Sequence, residues 1–172
     1  MEEGRPGLVG NEPGRPEGQV QVNRAFHHPA ILETRQALGE MTLIADPARI
    51  ADLCRHLKDS ENFVRLSSLT AVDWHPAEPR FEVVYHLHSV DPIGRLRVKC
   101  AVGGGSPEID SVTGVWRCSN WYEREVFDLF GIRFRNHPNL VRILMPIDWE
   151  GHPLRKDYPV HGYKYDYGQR KD

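Results

Sequence analysis

The chain has 172 residues, a net charge of −2 and 40% apolar side chains, slightly below the roughly 45–50% of an average globular domain. These values allow one core domain with tails and exclude a global positive field of the kind that gathers nucleic acid or anionic lipid. No run approaches the roughly 18 apolar residues of a membrane helix, the start Met1–Pro6 has no signal-peptide pattern, and the three scattered cysteines (Cys54, Cys100, Cys118) make no disulfide framework, which points to a reducing, cytosolic compartment.

In chain order, residues 1–24 form a tail expected to be disordered. Residues 1–18 contain eight Gly or Pro, with Met1, Leu8 and Val9 as the apolar side chains. Residues 29–38 form a weak helix candidate, opened by Pro29 and stopped by Gly39, with Ile31, Thr34 and Leu38 on one face. Met41–Ala45 is a short strand. The next helix is better defined. Asp46 caps it, Pro47 takes the first helical position, and Ile50, Leu53, Cys54 and Leu57 give an apolar stripe. Cys54 on that stripe reads as a small buried hydrophobe.

Strands are expected at 63–73, 80–88 and 95–102. The last two alternate cleanly: Phe81, Val83, Tyr85 and Leu87 against Arg80, Glu82, His86 and His88, then Leu96, Val98, Cys100 and Val102 against Arg95, Arg97 and Lys99. The short connection Ser89–Gly94 forces an antiparallel hairpin. Gly103-Gly104-Gly105 lacks the Lys-Ser/Thr and the helix of a phosphate loop and reads as a hairpin-end loop. A further short strand is expected at Val112–Trp116. A second helix runs from Asn120 to Gly131, with Asn120 and Glu123 as a capping box and Gly131 at the C′ position.

Beyond it, Pro138, Pro146, Pro153 and Pro159 recur every six to eight residues and leave no room for a long helix. The expected fold is α+β, a two-layer sandwich of a mainly antiparallel sheet with two or three helices. Residues 25–135 form the core and 136–172 an extended C-terminal arm.

Four chemistries can be weighed from residue types. His86 and His88 share a strand face, and His137, Asp148 and His152 lie downstream, but solvated histidines explain them better than a zinc site or a small metal-dependent hydrolase. Arg95, Arg97 and Lys99, and the Tyr158–Tyr167 cluster among basic residues, could bind single strands, yet no nucleic-acid signature accompanies them. Glu123, Arg124, Glu125 and Asp128 read as an ion-pair network on a helix, not as catalytic acids. Finally, charged residues and large aromatics alternate densely from Trp121 to Tyr158, and an extended segment this rich in Leu, Met, Trp and Arg cannot hide its apolar side chains in a small sandwich, so a protein partner is the physical default.

Two stretches carry a resemblance. They are Trp121-Tyr122-Glu123-Arg124-Glu125-Val126-Phe127-Asp128-Leu129-Phe130-Gly131, and Glu150-Gly151-His152-Pro153-Leu154-Arg155-Lys156-Asp157-Tyr158-Pro159. With His137-Pro138, Arg142-Ile143-Leu144 and Asp148-Trp149 between them, the chain resembles the 30-kDa subunit family of respiratory complex I, the proton-pumping NADH:quinone oxidoreductase. The resemblance covers roughly residues 29–163.

It implies a structural subunit with no catalytic, cofactor-binding or metal-binding residue of its own. FMN, iron–sulfur clusters, NADH and quinone would sit on other subunits. The partners would be the quinone-cavity subunit and neighbouring iron–sulfur subunits, with the membrane met only through the complex, at the cytoplasmic face of a bacterial cell membrane. The related ferredoxin- and F420-dependent complexes and membrane-bound hydrogenases contain similar chains. The expected interface residues are Glu123, Arg124, Glu125, Asp128, Gly131, His137, Pro138, Arg142, Trp149, Gly151, His152, Pro153, Arg155, Lys156, Asp157 and Tyr158. On this reading Leu140, Ile143, Leu144, Met145, Trp149 and Leu154 anchor the arm on a partner, half of them contributing on the order of 5 kcal/mol before entropy. Arg142, Arg155 and Lys156 pair with the partner's carboxylates.

Overall fold

The computed structural model describes residues 25–159 except Pro92 and Gly104; the N-terminal tail and the last thirteen residues of the arm lie outside the described residues. The chain order is β1 (Ile31–Ala37), β2 (Glu40–Ala45), α1 (Ile50–Asp59), β3 (Arg65–Asp73), β4 (Phe81–Val90), β5 (Ile93–Val102), β6 (Glu108–Asp110), α2 (Ser119–Phe130) and β7 (Arg133–Arg135). The five long strands form one sheet in the order β1-β2-β5-β4-β3. The β2–β5 pair is parallel and the other neighbours are antiparallel. The expected α+β sandwich is the fold observed.

The alternation read in β4 and β5 sets the two faces. Phe81, Val83, Tyr85, Leu87, Leu96, Val98 and Cys100 are buried, and they join Ile50, Leu53, Cys54 and Leu57 of α1 in one core. The opposite face keeps Glu82, His86, His88, Arg97 and Lys99 half-buried, with ion pairs from Lys99 to Glu82 and from Arg97 to Glu40. The Asp46 carboxylate accepts the Ala48 N–H at 2.9 Å, and Pro47–Arg49 form a 3₁₀ turn before α1. α2 covers the β3 edge of the sheet, where the Tyr122 hydroxyl donates to the Ser67 carbonyl at 3.0 Å.

Four expectations are corrected. Residues 31–37 are a strand, not a helix. Ile31, Thr34 and Leu38 make too thin an apolar face to hold a helix on the core, and the segment pairs with β2 as an exposed edge. Gly39 does not stop a helix; Leu38 (φ 52°) and Gly39 (φ 76°) are the two residues of a tight hairpin turn between Ala37 and Glu40. The short strand lies at Glu108–Asp110, paired in parallel with β7, and Val112–Trp116 is a turn. The Val112 N–H is spent on the Glu123 carboxylate, so it cannot join a ladder. The capping box does not form, because α2 begins at Ser119 and Glu123 points into the core.

Leu38 is fully exposed and holds a left-handed backbone that costs a non-glycine residue energy for no packing return. Leu38→Asn should therefore raise the unfolding free energy by roughly 0.5–1 kcal/mol in urea titrations, with an unchanged m-value.

Candidate partner interface

The chemistry of the arm starts at one buried carboxylate. Asp128 lies on the inner face of α2 with no exposed surface. Its Oδ1 accepts from Arg142 Nη1 at 2.5 Å. Its Oδ2 accepts three consecutive backbone N–H groups of the arm, Ile143 at 3.0 Å and Leu144 and Met145 at 2.9 Å. Burial by itself raises the Asp128 pKa. The Met145 amide, the Arg142 guanidinium and the Ile143 and Leu144 amides together outweigh it and hold the carboxyl below the ordinary range. Arg142 also donates to the carbonyls of Trp149 and Gly151, so one guanidinium closes the loop 142–151 on itself and onto α2.

A second anchor lies at the sheet end. The buried Asp73 accepts both Arg80 Nε (2.9 Å) and Nη2 (2.8 Å), the His75 N–H and the Lys156 N–H. Arg80 then reaches Asp157 with two hydrogen bonds, 2.6 and 3.0 Å. The Arg80 hydrogen bonds hold Asp73 far below the usual carboxylate range, with the amides of Lys156 and His75 assisting against its burial.

Gly131 ties the two anchors together. Its φ of 74° ends α2, and a Cβ there would lie 2.5 Å from both His152 and Arg155. His152 Nδ1 donates to the Asp128 carbonyl at 2.9 Å, the Arg155 Nε to the Phe130 carbonyl at 2.6 Å, and the Leu154 N–H to the Leu129 carbonyl at 3.0 Å. The open carbonyls at the helix end are thus covered by the arm.

The expected interface set divides accordingly. Asp128, Gly131, Arg142, Gly151, His152, Arg155, Lys156 and Asp157 are brought together, but as contacts within the chain. Arg142 meets its carboxylate within the chain, whereas Arg155 gives its Nε to the Phe130 carbonyl and lies over the Phe81 ring, and Lys156 is tied to Asp73 by its backbone N–H with its ammonium over Trp74. Arg124 pairs with the carbonyls of Val141 and Arg142, not with Asp128, and stacks over Trp121. Glu125 is exposed, so it shares no working face with the buried Asp128. Pro138 is exposed, Pro153 is half-buried, the Trp149 indole N–H is buried without an acceptor, and the Tyr158 hydroxyl donates to the Glu150 carbonyl.

Glu123 and His137 form a separate buried pair. The Glu123 Oε1 accepts the Val112 N–H at 2.7 Å, and Oε2 lies 4.0 Å from His137 Nε2 with no hydrogen-bond partner. Burial pushes Glu123 up to about 7, against the opposing pull of Ser111, Val112 and Ser119. His137 Nδ1 accepts the Asn139 N–H, which fixes an uncharged ring, and burial lowers its pKa further. The pair is therefore no strong ion pair.

His137 contacts the Asn120 carbonyl near the start of α2, and His152 contacts Asp128 eight residues further on, an axial separation of about 12 Å. With Asp148 on the exposed loop, the three residues of the hydrolase reading do not converge. Among the described residues, no three His, Cys, Asp or Glu groups are placed to hold a metal ion.

With its polar groups turned inward, the arm presents apolar side chains outward. Leu144 is 60% exposed, Ile147 94%, and Val141, Leu154 and the neighbouring Trp121 of α2 are also exposed. Ile147 is an exposed apolar side chain that sequence reasoning misses, because its place between Pro146 and Asp148 gives no periodic signal. Leu140 packs against the chain's own core. The chain is thus an α+β sandwich with an exposed apolar strip on an arm anchored by its polar groups.

Comparison with known proteins gives the family. Residues 43–164 match the family described as the respiratory-chain NADH dehydrogenase, 30 Kd subunit. A subunit of the NADH-quinone oxidoreductase of Geotalea uraniireducens is 49% identical over 77% of this chain and 81% of its own length. The corresponding subunit of a Roseiflexus species is 48% identical, covering 80% of each. Among solved structures, a trypsin-resistant fragment of Nqo5 superposes with a TM-score of 0.56 at 32% identity, over 61% of this chain and 86% of that one. A chain of an archaeal membrane-bound sulfane sulfur reductase superposes at 0.67 and 29% identity, over 77% and 79%. The chain belongs to the family of the 30-kDa subunit of respiratory-chain NADH dehydrogenase.

Two outcomes test this site. Gly131→Ala forces a Cβ into His152 and Arg155 and costs roughly 1–2 kcal/mol for the left-handed backbone alone; hydrogen exchange at the amides of Ile143, Leu144 and Met145 should accelerate well before global unfolding. A carboxyl whose pKa is raised on folding loses stability as pH rises from its unfolded to its folded value, here from about 4.5 to about 7. Glu123→Gln should flatten that part of the stability–pH curve and be the more stable protein above pH 7, as measured by urea unfolding across pH.

Proposed function

We propose that this chain is a non-catalytic assembly subunit of the hydrophilic arm of a membrane-bound, proton-translocating NADH:quinone oxidoreductase, and that it docks on the quinone-cavity subunit through its C-terminal arm. Its family is that of a subunit of an oxidoreductase complex, and other subunits of that complex are its partners. The observation that carries the docking mode is the inverted polarity of residues 141–154, whose hydrogen bonds go inward to Asp128 and whose apolar side chains face solvent. The chain carries no redox group in this reading; FMN, iron–sulfur clusters, NADH and quinone belong to other subunits. It contributes a rigid surface that fixes the geometry of the quinone-cavity subunit.

Among the described residues no helix is long and apolar enough to cross a membrane. On the strength of the family, the proposed place is peripheral, on the cytoplasmic face of a bacterial cell membrane, with contact to the bilayer only through the complex. The likeness to a sulfane sulfur reductase chain supports a second reading, the equivalent subunit of a related respiratory complex with a different electron donor.

Replacing Leu144 and Ile147 together by Asp removes two exposed anchors and charges the strip. Each lost burial is worth about 1.5–3 kcal/mol, so affinity for the complex should fall by at least about 100-fold. Co-purification of tagged chain with the complex, beside the melting temperature of the free chain, reads this. Full assembly of the double variant would rule out the strip as the docking surface.

A further inference from the structure

The end of α1, the start of β3 and the loop ahead of α2 enclose a groove of about 600 Å³, and no residue of the arm lines it. Its charged walls are all cationic. Lys58, Arg65 and Arg117 line it without a carboxylate among the lining residues, although the whole chain is net negative. Arg65 and Arg117 have no carboxylate partner among the described residues. Lys58 is held in place, its Nζ donating to the Val115 carbonyl at 2.6 Å, which leaves two ammonium protons for another acceptor. The groove also has an apolar part: Val64 is 45% exposed, and the nearly buried Trp116 keeps an indole N–H with no acceptor.

Unpaired cations set beside bare apolar surface suit an anion carried on an apolar body. Free phosphate would answer the charges and leave Val64 in water. An extended peptide answers both, because its alternate side chains fall on one face about 7 Å apart and can set carboxylates toward the arginines with an apolar side chain between. We propose that this groove is a docking site for an extended acidic segment of a neighbouring polypeptide. It is a second contact surface, separate from the arm, and does not depend on how the arm docks.

Cys118 supplies the footprint. It lines the groove and is exposed, whereas Cys54 and Cys100 are buried. The experiment follows iodoacetamide alkylation of Cys118 in the full chain with the octapeptide Glu-Ser-Leu-Ser-Glu-Ser-Leu-Ser as the probe, which sets Glu and Leu in turn on one face. Saturating peptide should slow alkylation at least about fivefold, and added salt should weaken the effect. The R65E/R117E variant should require at least about tenfold more peptide, while R65K/R117K keeps most of the protection; both are checked for fold by circular dichroism. The Leu144 and Ile147 substitutions of the arm should leave the protection unchanged, which separates this site from the docking strip. Equal protection by inorganic phosphate, by phosphatidylglycerol vesicles or by the same octapeptide with Lys in place of Glu overturns the proposal, as does undiminished protection in R65E/R117E or no protection by any probe.

Discussion

A carboxylate buried without partners is among the costliest things a fold can contain, and Asp128 is such a group unless the arm is in place. Its oxygens are satisfied by Arg142 and by three successive amides that follow it. Three N–H groups can converge on one oxygen only if the backbone turns tightly there, so the carboxylate dictates the shape of the arm as well as its position. The rest follows from that turn. Arg142 has guanidinium donors left over and uses them to gather the carbonyls of Trp149 and Gly151. That brings His152 and Arg155 over the end of α2, where Gly131 leaves the space that they fill.

The polarity of the arm is a consequence of this arrangement. A segment whose amides and cations are consumed on its inner side has its other side chains left for solvent. Val141, Leu144, Ile147 and Leu154 are therefore exposed because the hydrogen-bonding requirement is met first. The prolines reduce the freedom that the unfolded arm would otherwise lose, so a strip without regular secondary structure is still held in one shape. A surface that is already ordered loses less entropy on binding, which favours a docking role.

The same logic explains where sequence reading succeeds. Strands β4 and β5 and helix α1 have one apolar and one polar side, and their periodicity appears directly in the residue order. The end of α2 was legible because only glycine fits its left-handed position. Strand β1 was not, since an exposed edge strand buries almost nothing and leaves no period-two signal; Ile31, Thr34 and Leu38 then imitate a weak helix. The Asn120–Glu123 pair has the spacing of a capping box, but the Val112 N–H competes for the Glu123 carboxylate and wins in the core. For the site, the family stretches marked residues that meet in space, while Arg142, expected to pair with a partner's carboxylate, pairs with Asp128 of its own chain.

By itself, the sequence determined the α+β class, the two faces of the central strands, the stop at Gly131 and the family to which the chain belongs. These are local properties, read from periodicity, backbone preference or residue order. Tertiary structure alone decided which charges meet. A lysine or arginine next to prolines and aliphatic residues looks the same whether its carboxylate lies on a partner or on the chain's own helix. The distances that settle it join residues 14 to 77 positions apart, as Arg142 to Asp128 and Arg80 to Asp157. Such contacts depend on how the chain closes in space, which no local pattern encodes.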